Sequence, residues 1–286
     1  MRGARAISTA LGIAALALLG AVPAAGAPMR AHTATASFPS RALGSVVHYL
    51  IQLPPGYATS GERYPVVYFL HGLPAGPTTY QGVSWVGNVL AAEPKPAIFV
   101  VPQGTRRHDG DPEYLDWGPG RNWATALAVE LPRWIDSHYR TIASRAGRAI
   151  VGVSAGGYGA ASLGLGHPAE FAAIESWSGY FAPTDPTGSQ VLDLGSRTAN
   201  EAASLHKQAA HLARQFREYP TFFGFYVGRS DPTFVDENVE LNRELEAARV
   251  PHVYALYPGG HSTALWAAQA HYWLAMALNH LAAAGS

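Results

Sequence analysis

The sequence predicts an α/β fold, a mostly parallel central sheet with helices on both faces. Short runs rich in Val, Ile, Phe and Tyr recur along the chain, each ended by Gly or Pro, the composition of strands buried on both sides. Between them lie longer stretches with apolar residues at helical spacing, and strands that alternate with helices build parallel sheets. Length and composition agree, since 286 residues, 48% hydrophobic and 14% charged, can bury one large core.

Each element follows in order. The opening "MRGARAISTALGIAALALLGAVPAAGAPM" sets two arginines before an apolar stretch and then small residues, the layout of a secretory signal peptide. The expected boundaries are a signal peptide at 1–24, a flexible leader rich in Ala, Thr, Ser and Pro at 25–42, and a folded domain at 43–286. The apolar stretch is short of the roughly 20 residues of a membrane span, so no stable span is expected after cleavage. "SVVHYLIQLP" alternates partly as a strand, and "PPGYATSGERYP" is turn material. "VVYFL" and "AIFVVP" are strands. "ATALAVELPRWIDSHY" has helical spacing at Leu127, Leu131, Trp134 and Ile135. "RAIVGV" is a strand that runs into a small-residue helix, and "FAAIESWS" is the next strand. Residues 179–217 read as a loop followed by helix, a small insertion over the sheet. "TFFGFYVG" and "HVYALYPGG" are strands around the helix "VDENVELNRELEAARV", and "ALWAAQAHYWLAMALNHLAAA" closes the domain as a helix.

Several function classes are set aside by composition. Twenty Lys and Arg balance twenty Asp and Glu, without the basic stripe that nucleic acid requires. No cysteine is present, so neither a disulfide nor a CxxC site is possible. No metal-ligand spacing and no dinucleotide glycine pattern is found, so neither metal nor cofactor is expected.

The chemistry is written at the joint "RAIVGVSAGGYGA". Gly152-Val153-Ser154-Ala155-Gly156 fits G-x-S-x-G, the nucleophile elbow of the α/β-hydrolase fold. A sharp strand-to-helix turn lifts the serine hydroxyl clear of the sheet, and side chains two residues to either side would collide. A neutral serine needs a base, and the base an orienting carboxylate. In this fold they follow in the order Ser, Asp or Glu, His, each after a strand. Asp231 after "FFGFYVG" and His261 after "VYALYPGG" fit. Asp236 and Glu237, at the start of the next helix, are rivals to Asp231. The tetrahedral intermediate needs N–H donors. The elbow supplies that of Ala155, and the loop "HGL" after an earlier strand supplies that of Leu73, with His71 expected to hold the loop.

Taken together, "YPVVYFLHGL", "NWATALAVELPRWIDSHYRT", "AIVGVSAGGYGA", "HPAEFAAIESWSGYF" and "YPGGHSTALW" resemble the esterase D-like branch of the α/β-hydrolases. That branch includes feruloyl and acetylxylan esterases, S-formylglutathione hydrolases and antigen 85-type mycolyltransferases. The resemblance runs from about Val46 to the closing helix. It implies that Ser154 is the nucleophile, His261 the base, Asp231 the acid, and the amides of Leu73 and Ala155 the oxyanion hole. Pro74 stands where the mycolyltransferases carry arginine, which tells against trehalose mycolyl transfer, and export tells against a cytosolic glutathione thioester.

Aromatic residues on loops at the strand ends, Trp117, Trp123, Trp177, Tyr180 and Phe181, are candidates for the substrate pocket. The leading expectation is a secreted, extracellular or cell-wall-associated serine esterase acting on a small-molecule, lipid or carbohydrate ester. The alternatives are an acyltransferase that passes the acyl group to a sugar or lipid alcohol, and a non-catalytic cell-wall binding protein on the same fold.

Overall fold

The computed structural model describes residues 31–185, 188 and 190–285. The signal peptide expected at 1–24, and the part of the leader before residue 31, lie outside the described residues. Strands β1 (His32–Ser40), β2 (Ser45–Leu53), β3 (Val66–Leu70), β4 (Ile98–Pro102), β5 (Arg148–Val153), β6 (Ala173–Trp177), β7 (Phe222–Gly228) and β8 (Val253–Tyr257) form, among the described residues, one 8-stranded sheet in the order β1-β2-β4-β3-β5-β6-β7-β8. β1 and β2 pair antiparallel, β2 joins β4 antiparallel, and the remaining pairs are parallel. This is the α/β-hydrolase arrangement, mostly parallel with an antiparallel edge.

The runs of β-branched and aromatic residues explain the centre. Every residue of β3, β4, β5 and β6 is buried, and alternate side chains point to opposite faces. Tyr68, Val100, Ile150 and Ile174 meet a core on one face, whereas Phe69, Phe99, Val151 and Trp177 meet a second core on the other. The first core is covered by α3 (Leu131–His138), α4 (Ala155–Gly166), α6 (Leu205–Glu218) and α7 (Val235–Ala247). The second is covered by α1 (Ser84–Ala91) and α8 (Thr263–Asn279). A short helix α2 (Trp123–Thr125) and a π-helical segment (Ala126–Glu130) lead into α3, which carries Pro132 in its first turn. Proline has no N–H to give to the preceding turn, a local cause for the widened winding. In the 179–217 insertion, α5 (Arg197–Ala203) is followed by α6, which buries Leu205, Ala209, Leu212 and Phe216 and serves as the crossover from β6 to β7.

One expected boundary is corrected. Residues 32–40, read as flexible leader, are the edge strand β1, in register with β2 from His32↔Leu53 to Ser40↔Ser45. Phe38 and Ser40 are buried, and Ser40 Oγ donates to Glu130. Ala, Thr and Ser conceal the period-two pattern because their burial adds little hydrophobic signal. α1 also goes unread in the sequence, where it follows the Pro- and Gly-rich loop after β3.

Candidate active site

The C-terminal ends of the parallel strands β3, β5, β6, β7 and β8 converge on one edge of the sheet, where α/β proteins place their sites. Ser154 stands between β5 and α4 with φ 57° and ψ −125°. A non-glycine residue at such a φ is strained, by about 1–3 kcal/mol, and the surroundings enforce it. The Ser154 N–H donates to the Trp177 carbonyl at 2.9 Å. A Cβ on Gly152 would stand 1.9 Å from the Gly156 carbonyl oxygen, and one on Gly156 would stand 2.0 Å from the Leu70 carbonyl oxygen. Both glycines of the motif are thus required by backbone crowding.

Two loops bring the partners in. The β7 loop and the β8 loop are tied together by Arg229 N–H to the Tyr257 carbonyl at 2.7 Å and Ser230 N–H to the Gly259 carbonyl at 2.8 Å. Asp231 and His261 are therefore held face to face. The His261 Nδ1–H donates to Asp231 Oδ2 at 2.8 Å, and Ser154 Oγ donates to His261 Nε2 at 2.9 Å. Asp231 is fully buried, and its other oxygen accepts the amides of Thr233 at 3.0 Å and Phe234 at 3.1 Å. Burial pushes this carboxyl up, but the hydrogen bonds from His261 and the two amides outweigh it and hold the group below its ordinary range. Asp231 is thus an anion held by three hydrogen bonds. Its sequence rivals lie elsewhere. Glu237 caps the amides of Phe181 and Ala182 at 2.7 and 2.8 Å, and Asp236 is exposed in the first turn of α7.

The loop after β3 passes close to the serine, with Gly72 so near that a Cβ there would stand 3.0 Å from the Ser154 Cβ. The Leu73 amide lies on that loop, and the Ala155 amide opens α4, where no intrahelical acceptor exists for it. His71 is buried, with Nδ1 3.0 Å from the Gly72 carbonyl oxygen, and burial lowers its pKa. A neutral imidazole that fixes the loop is consistent with that environment. Beside it opens a cleft of about 690 Å³, with Leu73, Pro74, Ala75 and Pro77 on an apolar side and Arg106, Arg107 and Asp111 on a polar one.

The pocket expectations require correction. Trp123, Trp177 and Phe181 are completely buried. Trp123 donates to Asp109 at 3.1 Å, Trp177 to Glu175 at 3.0 Å, and the Phe181 ring packs on Phe225. Trp177 ends β6 and Trp123 opens α2, and at such joints a large ring can plug the core beneath the site as readily as line it; here all three rings do the former. Tyr180 is also buried, stacked between Tyr158 at 5.2 Å and Phe234 at 5.1 Å. Trp117 remains half-exposed and packs against the buried cluster that contains Leu115, Ala155 and Tyr180, its indole donating to the Pro112 carbonyl at 2.9 Å. Sequence reading missed the aromatic frame of the imidazole: the rings of Phe234 and Trp266 stand 5.3 and 5.2 Å from that of His261. The available signal was proximity in sequence, three residues after Asp231 and five after His261.

The comparisons with known proteins agree with this architecture. The family model described as Esterase matches residues 40–272. An esterase of Mycobacterium tuberculosis is 32% identical over 254 residues, a match that covers 78% of this chain and 54% of that protein. The chain spans about half the length of that curated relative. A solved ferulic acid esterase superposes with TM-score 0.72 at 25% identity, covering 88% of this chain and 100% of the other. The fold is also that of an S-formylglutathione hydrolase from Agrobacterium tumefaciens, with TM-score 0.75 at 20% identity over 90% of this chain and 98% of that one. With the family match spanning the sheet from the end of β1 into α8, this chain belongs to the Esterase family.

Proposed function

We propose that this chain hydrolyses carboxylic esters through an acyl-enzyme formed on Ser154. The observation that carries the reading is the unbroken line Ser154 Oγ, His261 Nε2, His261 Nδ1 and Asp231 Oδ2, with contacts of 2.9 and 2.8 Å. In the first step Ser154 Oγ bonds to the ester carbonyl carbon and its proton passes to His261 Nε2. The carbonyl oxygen becomes an oxyanion that receives the N–H groups of Leu73 and Ala155. The buried Asp231 carboxylate stabilises the imidazolium and keeps its orientation. As the carbon–oxygen bond of the alcohol breaks, the imidazolium returns the proton to the leaving oxygen. Water, deprotonated by His261, then attacks the acyl-enzyme and releases the acid and Ser154. The His261 side chain is 28% exposed, so water can reach it for the second half.

The polar side of the cleft, with Arg106, Arg107 and Asp111, supports a second reading, in which a polar alcohol replaces water as acceptor. Hydrolysis of p-nitrophenyl esters from acetyl to palmitoyl, by the mature chain and its Ser154→Ala variant, tests the first. Turnover lost in the variant supports it, and turnover retained would refute it. Added glucose that diverts the acyl group from acid to a new ester supports the second. We further infer that residues 1–24 direct export and are removed, which N-terminal sequencing of protein recovered from outside the producing cell checks. An N-terminus still at Met1 counts against removal.

A further inference from the structure

The turn that precedes α2 holds features the triad does not use. Glu113 and Tyr114 are consecutive non-glycine residues with φ 49° and 58°, a left-handed conformation that is unfavourable for L-residues. Glu113 is buried, its Oε2 accepting from the Tyr180 hydroxyl and its carboxyl hydrogen-bonded to that of Asp111. Burial first, then the neighbouring Asp111 carboxyl, pushes Glu113 up to about 8, so at neutral pH it is mostly the protonated acid. A protonated carboxyl is tolerated in this pocket, where a second buried anion beside Asp111 would not be. What the turn accomplishes is seen in its next residue. Tyr114 is buried, and its hydroxyl donates to the His71 carbonyl oxygen at 2.6 Å. That carbonyl lies two residues ahead of Leu73, on the loop that runs against Ser154. The His71 and Tyr114 rings pack edge to face at 6.1 Å.

We propose that Tyr114 is a positioning residue for the oxyanion hole: its hydroxyl fixes the His71 carbonyl and thereby the Leu73 amide, and the Glu113–Tyr180 contact holds the strained turn that presents it. The proposal rests on the reading of Ser154 and Leu73 given above. Tyr114 does not touch the reacting atoms. It acts through the loop, so its loss affects the transition state, where the oxyanion exists, more than the bound ester. The same stretch therefore links the polar side of the cleft, at Asp111, to the geometry of the oxyanion hole.

The test compares Tyr114→Phe and Tyr180→Phe with the unaltered chain and with Ser154→Ala, using p-nitrophenyl acetate hydrolysis and inhibition by phenylboronic acid. In the boronic adduct boron takes the Ser154 oxygen, the serine proton passes to His261, and a boronate oxygen stands where the oxyanion would. Tyr114→Phe is expected to lower kcat about tenfold and leave KM within about twofold, with boronate inhibition weakened as much as kcat. Tyr180→Phe is expected to show the same pattern at smaller size. A merely structural role would lower Tm without linking kcat to boronate affinity. Unchanged kcat and boronate affinity in Tyr114→Phe, beside an inactive Ser154→Ala, overturn the proposal alone. Turnover that survives Ser154→Ala overturns the reading beneath it and the proposal with it. Should Tyr114→Phe fail to fold, Tyr180→Phe decides on the same readouts.

Discussion

The serine and the histidine are held by different physics. Ser154 follows β5, whose residues are all buried, and sits in a strained conformation that surrounding backbone leaves no room to relax. His261 follows β8, the outer strand of the sheet, whose residues are all only half-buried, and it is kept in place by hydrogen bonds between loops and by two aromatic rings. Ser154 is fixed by steric exclusion and His261 by directed contacts. Damage to the backbone packing around Ser154 should therefore show first as lost stability. Damage on the histidine side should show first as lost rate.

The largest effect is expected at Asp231. Asp231→Asn keeps the size of the side chain but removes the anion and offers the imidazole the wrong hydrogen-bond partner, so kcat should fall by about 10⁴ with a modest change in Tm. Steady-state kinetics beside a melting curve checks this. A loss of Tm as large as that at the elbow would erase the contrast between the two sides. Next comes Gly156→Ala, where a Cβ meets backbone at 2.0 Å. A destabilisation of about 3 kcal/mol or more is expected, read by urea denaturation, and a variant as stable as the parent would show that the elbow is not sterically determined.

Glu113 gives an effect of intermediate size. Its folded pKa is raised, from an ordinary 4.5 to about 8, so the folded protein holds a proton that the unfolded chain releases. The stability this lends is fully present below about pH 4.5 and is lost as pH rises through about 8. Glu113→Gln should flatten the dependence of stability on pH within that window, as measured by melting at a series of pH values. An unaltered slope would remove Glu113 as its source. The smallest effect is expected at Trp266, whose indole donates to Ser178 Oγ at 3.0 Å while its ring borders His261. Trp266→Phe keeps a ring and loses the donor, and kcat should fall by a few-fold, about 1 kcal/mol at the transition state.

The same contrast decides what could be read from sequence. β3 to β6 were legible because strands buried on both faces must be nearly all apolar, and the elbow because crowding admits only glycine around Ser154. The order of Asp231 and His261 followed from the strand ends that precede them. β1 was not legible, since Ala34 and Ala36 face inward without looking hydrophobic. The pocket aromatics were misplaced for a related reason. Trp177 ends β6 and Trp123 begins a helix, and sequence does not say whether a large ring at such a joint points up to the cleft or down into the core. Glu113 was invisible as a buried acid because charge in a loop ordinarily means exposure, and only its burial against the tertiary neighbour Tyr180 reveals otherwise.

The antiparallel edge has a consequence for how the molecule can be presented. His32 pairs with Leu53 at the end of β2, and Tyr49 pairs with Pro102 at the C-terminal end of β4. β1 therefore begins at the sheet edge opposite the cleft. At the other terminus α8 starts beside His261 and carries the chain back down, where Ala282 and Gly285 donate to the carbonyls of Ala146 and Arg63 ahead of β5 and β3. Both ends of the described chain leave from the same pole. A tether at either one, whether a surface linkage or a fused partner, would hold the protein by its base with the serine facing outward.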